Sequence, residues 1–332
     1  MVSSGFSNLG YKYINIDDCW GHLERSAFVH LLEPNATKFP SGMAPLGDYI
    51  HSLGLKFGIY SCAGNFTCSG TMPGSLGHEE EDAKTLASWG VDYLKYDNCF
   101  NNNIHPKIRF KAMSDALKQT GRPIFYSICE WGDMQPAFWA NEFGNSWRTT
   151  DDISDQWDRM LSIADKNQVY ADRARPGAWN DPDMLEIGNG GMTYDEYIVH
   201  FSIWAISKAP LIIGCDLRGM SNDTLTILSN EEVISVNQDP LGIQAMHVRN
   251  YGQRYVLAGP LWKNRVVVLL VNGKDTVETM TAYWSDIGLP TNKAVLARDL
   301  WLHVNLDGTF RGNLTATLPG HSCKMFILTP TS

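Results

Sequence analysis

Short apolar runs alternate with amphipathic segments through most of the chain. The runs are Tyr11 to Ile16, Lys56 to Ser61, Val91 to Cys99, Ile124 to Cys129, Ser146 to Thr149, Gly177 to Asn180 and Leu211 to Cys215. Between them, Leu46, Tyr49, Ile50 and Leu53 fall at i, i+3, i+4 and i+7. Phe110, Met113 and Leu117 mark a second helical face, Trp157, Met160, Leu161 and Ala164 a third, and Tyr197, Phe201, Trp204 and Ala205 a fourth. Gly54 and Gly121 are placed to stop helices, an acidic start spans Glu79 to Asp82, and Thr193 with Glu196 forms a capping box. Strand and helix in alternation predict a parallel sheet with crossover helices, an α/β barrel of the TIM (β/α)8 type with seven of its eight strands visible. Seven strands in an open barrel leave two edges bare. The expectation is therefore that one N-terminal βα unit is missing and that MVSSGFSNLG is the tail of its helix.

Near Asn237 to Gly242 the pattern changes, and the strands that follow are separated by turns. These are Tyr255 to Ala258, Val266 to Val271, Thr279 to Trp284, Ala294 to Ala297, Leu314 to Leu318 and Met325 to Leu328. They predict an antiparallel β-sandwich. The domains expected are 1–241, the barrel, and 242–332, the sandwich.

The barrel strands share a further property: each runs out onto polar, acidic or aromatic residues. In a parallel barrel that end of the sheet collects the active site. Asp97, at the end of VDYLKYDNC beside Lys95, is the first candidate, with the lysine expected to keep its carboxylate ionised. A structural salt bridge is the alternative. Asp152, beyond Arg148, is a second carboxyl group of the sort glycoside hydrolysis requires. Asp17 and Asp18 suit sugar hydroxyls or a turn, Trp20 and Trp131 a sugar face or ordinary packing, and Asp181 and Asp183 flank Pro182 in a tight turn. Glu130 is a candidate partner for Arg148. Cys68 and Cys99 follow neighbouring strands and read either as a bridge pinning the loop over Asp97 or as two unrelated thiols.

Charge and composition narrow the partners. The net charge is −9 and no long Lys/Arg run occurs, which argues against nucleic acid and anionic membrane surfaces. The longest apolar runs are far too short to cross a bilayer. Acceptor sites for N-glycosylation at Asn35, Asn65, Asn222 and Asn313, together with seven cysteines, point to a secreted, cell-wall or vacuolar protein, although no signal peptide precedes the first strand. No CxxC or His/Cys metal spacing is present, and the GNGG run at Gly188 lacks the Lys-Ser/Thr of a phosphate loop. Neither a metal nor an organic cofactor is expected.

The segments NIDDCW, KFGIYS, TMPGSLGHEEEDAKTLASWGVDYLKYDNC, ICEWG, SWRTTDDI, WNDPDML and APLIIGCD, followed by NQDPLG and ARDLW, resemble in order and spacing the α-galactosidases (melibiases) of glycoside hydrolase family 27, particularly the plant type. The resemblance implies a retaining enzyme that removes terminal α-linked galactose from oligosaccharides, galactomannans or galactolipids, as a monomer or homodimer. By matching motifs, Asp97 is the nucleophile and Asp152 the acid/base. Asp17, Asp18, Lys95, Arg148 and Asp183 hold sugar hydroxyls, Cys129 and Trp131 form the wall near the 2-position, and Cys68 pairs with Cys99. Retention calls for a raised pKa on Asp152 and a lowered one on Asp97. The family's GWNSWN segment and the partner of Cys19 are absent from the sequence, Cys62 replaces an acidic residue, and Arg175 and Ala178 depart from the family pattern. Two alternatives follow: a β-L-arabinopyranosidase using the same mechanism, and a truncated homologue that is inactive or only weakly sugar-binding.

Overall fold

The computed structural model describes residues 1–28 and 30–331. Its internal contacts divide it into two compact units, Met1–Asp151 and Asp152–Ser332.

In the first unit five strands, β1 (Tyr13–Asn15), β2 (Lys56–Cys62), β3 (Tyr93–Asp97), β4 (Phe125–Ile128) and β5 (Ser146–Arg148), pair in sequential, parallel order. The crossovers carry α1 (Met43–Ser52), α2 (Glu79–Ser88) and α3 (Pro106–Gln119). β2 is buried from its second residue to its last, as a strand covered on both faces must be. Gly54 and Gly121 follow their helices at φ +71°, a conformation costly for any side chain with a Cβ. Pro106 occupies the first turn of α3, where its missing N–H costs nothing. All four acidic residues expected at a helix start lie in the first turn of α2.

The second unit begins with α4 (Trp157–Gln168), β6 (Trp179–Asp181), α5 (Tyr194–Ile206), α6 (Asn222–Leu228) and α7 (Glu231–Asn237). The capping box of α5 forms in both directions, Glu196 N–H to Thr193 and Thr193 N–H to Glu196. The strand expected over Leu211 to Cys215 reduces to a single parallel bridge between Ile213 and Leu185. Two backbone bonds hold it, Leu185 N–H to the Ile212 carbonyl at 2.8 Å and Gly214 N–H to the Leu185 carbonyl at 3.0 Å. Arg175 and Ala178 exchange both backbone hydrogen bonds around Pro176 and Gly177, a proline-glycine turn that uses neither side chain.

Nine further strands follow: β7 (Met246–Asn250), β8 (Arg254–Leu261), β9 (Arg265–Asn272), β10 (Glu278–Tyr283), β11 (Ala294–Asp299), β12 (Val304–Asn305), β13 (Phe310–Arg311), β14 (Asn313–Leu318) and β15 (Ser322–Pro330). One sheet runs β12-β11-β15-β9-β8-β7, with β13 also on β11, and the other is the antiparallel pair β10-β14. β7, β12 and β13 were not legible as strands, since β7 carries His and Arg at its centre and the other two are only two residues long. Val256, Val268, Leu270, Trp284 and Phe326 fill the space between the sheets. The Cys323 thiol is directed at the Ser202 hydroxyl, and burial pushes its pKa up to about 12.

Candidate active site

Sequence-predicted residues of the first unit converge on the C-terminal ends of β1 to β5. Lys95 reaches from β3 to Asp17 after β1, Nζ to Oδ2 2.8 Å. Asp18 accepts from the backbone N–H of Cys19 at 2.6 Å and of Ser69 at 2.9 Å, tying the β1 end to the loop after β2. Asp97 is 6% exposed. Its Oδ1 accepts from the Asn98 N–H at 2.9 Å and its Oδ2 from the Tyr60 hydroxyl at 3.1 Å. At the end of β5, Arg148 is buried and directs Nη1 at the Cys129 sulfur, at 3.8 Å, and Nη2 at the Thr150 carbonyl. Cys129 is buried and Trp131 half-buried.

The strand ends are also where the backbone departs from ordinary conformations. Cys19, Phe100 and Trp131 take positive φ, at 69°, 48° and 61°. Such residues persist only where their surroundings over-determine them, and they gather at functional loops. Gly132 shows why the Trp131 turn is so tight: a Cβ there would meet the Thr149 carbonyl at 2.3 Å.

Burial corrects one electrostatic expectation. Desolvation raises the pKa of Asp97 above the usual aspartate value, and Lys95, the Asn98 N–H and the Tyr60 hydroxyl only partly oppose it. Lys95 is pulled down by burial, but the Cys129 sulfur, Asp17 and Asp97 more than offset this and keep it firmly protonated.

Cys68 and Cys99 are joined in a disulfide that brings the loops after β2 and β3 together. Cys62 is buried at the end of β2, in register with Asp97, with its thiol on the Cys99 carbonyl at 3.3 Å and its pKa pushed up to about 12 by burial and by Asp97. The Cys62 thiol is thus held neutral beside the Asp97 strand end. Among the described residues one cluster, Cys68, Asp97 and Cys99, brings three donor atoms of metal-ligand type within 4.8 Å, but both sulfurs are committed to the disulfide.

Two residues that sequence reasoning missed hold this arrangement. Arg109 of α3 is 2% exposed and donates to the carbonyls of Ile104 and Ala63 and to Asn98 Oδ1, at 2.7, 2.8 and 2.6 Å. It fixes the residue whose N–H supports Asp97. Tyr60 supports Asp97 from β2; the sequence pattern reads it only as part of the Lys56 to Ser61 strand and assigns Arg109 no role. Glu130 does not serve Arg148 as expected. Its Oε1 instead accepts from the Met134 N–H at 2.7 Å, while Oε2 is buried and finds no donor among the described residues.

In the second unit Asp152 is exposed in the segment before α4, and its carbonyl accepts from Arg159. Asp183 takes φ +85°, and its carboxylate accepts from the N–H groups of Ile153 and Met184, at 3.0 and 2.8 Å, which fixes the turn after β6 relative to the chain beside Asp152. Asp181 accepts from the Asp183 N–H, as its place beside Pro182 foretold.

A parallel barrel-type sheet with carboxylates and a lysine at its strand ends, followed by an antiparallel sandwich, defines a glycoside hydrolase. Comparison with known proteins gives the family. A model described as alpha galactosidase A matches residues 1–239, and one for the alpha galactosidase C-terminal beta sandwich domain matches 251–328. Alpha-galactosidase 2 of Arabidopsis thaliana is 58% identical over 99% of the chain and 83% of that protein. The crystal structure of alpha-galactosidase I from Mortierella vinacea superposes with a TM-score of 0.95 at 42% identity, covering 98% of this chain and 89% of that one. A Saccharomyces cerevisiae α-galactosidase with raffinose gives 0.91 at 31% identity, covering 99% and 92%. The chain belongs to the α-galactosidase (melibiase) family, glycoside hydrolase family 27.

Proposed function

We propose that the protein carries out its family's reaction, removing terminal α-linked galactose with retention of configuration, with Asp97 as nucleophile and Asp152 as acid/base. The single observation that carries this is the setting of Asp97, buried at the end of β3 with Tyr60 and Asn98 fixing its two oxygens. Asp97 attacks the anomeric carbon as Asp152 protonates the leaving oxygen, and Asp152 then activates the water that releases galactose. The mechanism requires carboxyl groups about 5–5.5 Å apart. Asp17, Asp18, Lys95, Arg148 and Asp183 hold the sugar hydroxyls, and Cys129 and Trp131 bound its 2-position. We place the domain boundary at 241/242.

Asp97→Ala is expected to lower galactose release from nitrophenyl α-galactoside by about a thousandfold or more. Asp152→Ala should spare that substrate, whose leaving group needs no proton, far more than raffinose. Substantial activity in Asp97→Ala sinks the nucleophile assignment. Relative rates on nitrophenyl α-galactoside and nitrophenyl β-L-arabinopyranoside separate the two sugars, with the galactoside expected to be faster.

No helix among the described residues is long and apolar enough to cross a membrane. We further propose delivery to the cell wall or vacuole, because disulfides such as Cys68–Cys99 persist in oxidising compartments. Fractionation with an antibody tests this, and recovery only from the cytosol refutes it.

A further inference from the structure

The β-sandwich carries a concavity of about 350 Å³ remote in sequence from every residue assigned above. It lies where the edge strand β7 and its neighbour β8 meet β10, and Arg249, Tyr251, Arg254, Thr279, Thr281 and Tyr283 line its wall over a floor of Val256 and Met280. Its volume falls within the usual range for small-ligand sites. The rim is aromatic: Tyr251 and Tyr283 are 54% and 41% exposed, with the Arg249 guanidinium 5.9 and 4.6 Å from their ring centroids. The β10 side is a row of hydroxyls, because Thr279 and Thr281 face Thr317 and Thr315 of β14, with oxygens 3.1 and 2.8 Å apart.

Charge decides what such a groove accepts. Arg249 is paired with Asp286, and Arg254 with Glu278 at 3.1 Å, a carboxylate that Lys274 also shares. An anionic ligand would have to compete with carboxylates already holding both guanidinium groups. A neutral polyol would not: its hydroxyls both donate and accept, and so can use threonine oxygens, guanidinium N–H groups and carboxylates together, while its C–H faces pack on exposed tyrosine rings.

We propose that this groove is a second, non-catalytic carbohydrate site that binds the neutral hexose backbone of a galactose-branched polysaccharide. The inference rests on the galactoside-cleaving activity, and it deepens the substrate class from small oligosaccharide to polymer. Holding the backbone on the sandwich raises the effective concentration of branches without altering the chemistry of any one of them.

Galactose-free mannan oligosaccharide is the probe, because it has no terminal galactose for the catalytic site to read. Isothermal titration should show binding to the wild-type chain that is weakened about fivefold or more by Tyr283→Ala, a change at one exposed ring. Thr279→Val with Thr281→Val, which keeps shape and removes hydroxyls, should weaken it as well. In the same variants KM for galactomannan should rise roughly threefold or more, while kcat/KM for nitrophenyl α-galactoside stays within about twofold of wild type. Unchanged thermal midpoints show that the variants are folded. The proposal is overturned if wild-type protein does not bind mannan, if the variants bind it equally well, or if polygalacturonate binds instead in a salt-sensitive manner. Mannan binding is read without hydrolysis, so an inactive chain that still binds would overturn the activity and leave the groove standing.

Discussion

Glu130 offers the sharpest test of the physical picture. Its side chain is wholly buried, one oxygen holds the Met134 N–H, and the other has no donor among the described residues. Burial lifts its pKa from 4.5 to about 7, with Asp133 adding to the rise and the Met134 N–H and Arg109 opposing it. The folded chain therefore keeps this proton after the unfolded chain has lost it. Below pH 4.5 both states are protonated and folding carries no penalty. Between 4.5 and 7 the penalty grows as pH rises, and above 7 it is complete, at about 3 kcal/mol. Glu130→Gln removes the titration while keeping an acceptor for Met134. Thermal unfolding of both proteins should be followed from pH 4.5 to 8. The wild-type midpoint should fall relative to that of the variant by roughly 5–10 °C across this window. The informative quantity is the change of the difference with pH, because the new amide N–H₂ carries a pH-independent cost of its own. Parallel pH profiles for the two proteins would refute the reasoning and imply that the Glu130 charge is compensated.

Arg109→Met strips three acceptors of their donor at once, two of them buried, and should destabilise the chain by roughly 3 kcal/mol, with a fall in kcat because Asn98 loses its anchor; an unchanged midpoint in chemical denaturation rules this out. The raised pKa of Asp97 makes its ionised fraction fall as pH drops, so kcat/KM should decline on the acid side through that pKa. Tyr60→Phe removes one of the groups that lowers it and should move this limb to higher pH; a limb that stays put separates it from Asp97.

Sequence pattern carried the parallel strands and their polar ends because a buried strand that terminates on Lys95 and Asp97 breaks its own apolar rule. Local chemistry carried the Thr193 cap and the acidic start of α2 for the same reason: their partners lie within one helical turn. What depended on distant neighbours was lost. Arg109 lies four residues before Met113, on the buried side of α3, yet nothing in α3 itself shows that the loops before it close over the guanidinium. Lys95 made Asp97 look like a carboxylate held low, since charge is visible in a string of letters and desolvation is not. Glu130 was matched with Arg148 by its place at a strand end, although its actual partner is the Met134 N–H four residues on. The run Leu211 to Cys215 read as a strand from its apolar residues, yet among the described residues it pairs through a single bridge, between Ile213 and Leu185.

The neutral thiols have a practical consequence. Cys62 lies buried in the first compact unit and Cys323 half-buried in the second, and both thiols are kept neutral at physiological pH. Alkylating reagents attack thiolates, so modification of the buried Cys62 has to wait for its surroundings to open, while the half-buried Cys323 is held back by its small thiolate fraction. Timed exposure to iodoacetamide, followed by peptide mass mapping, would therefore clock the opening of the first unit at Cys62, with no label introduced and no residue changed.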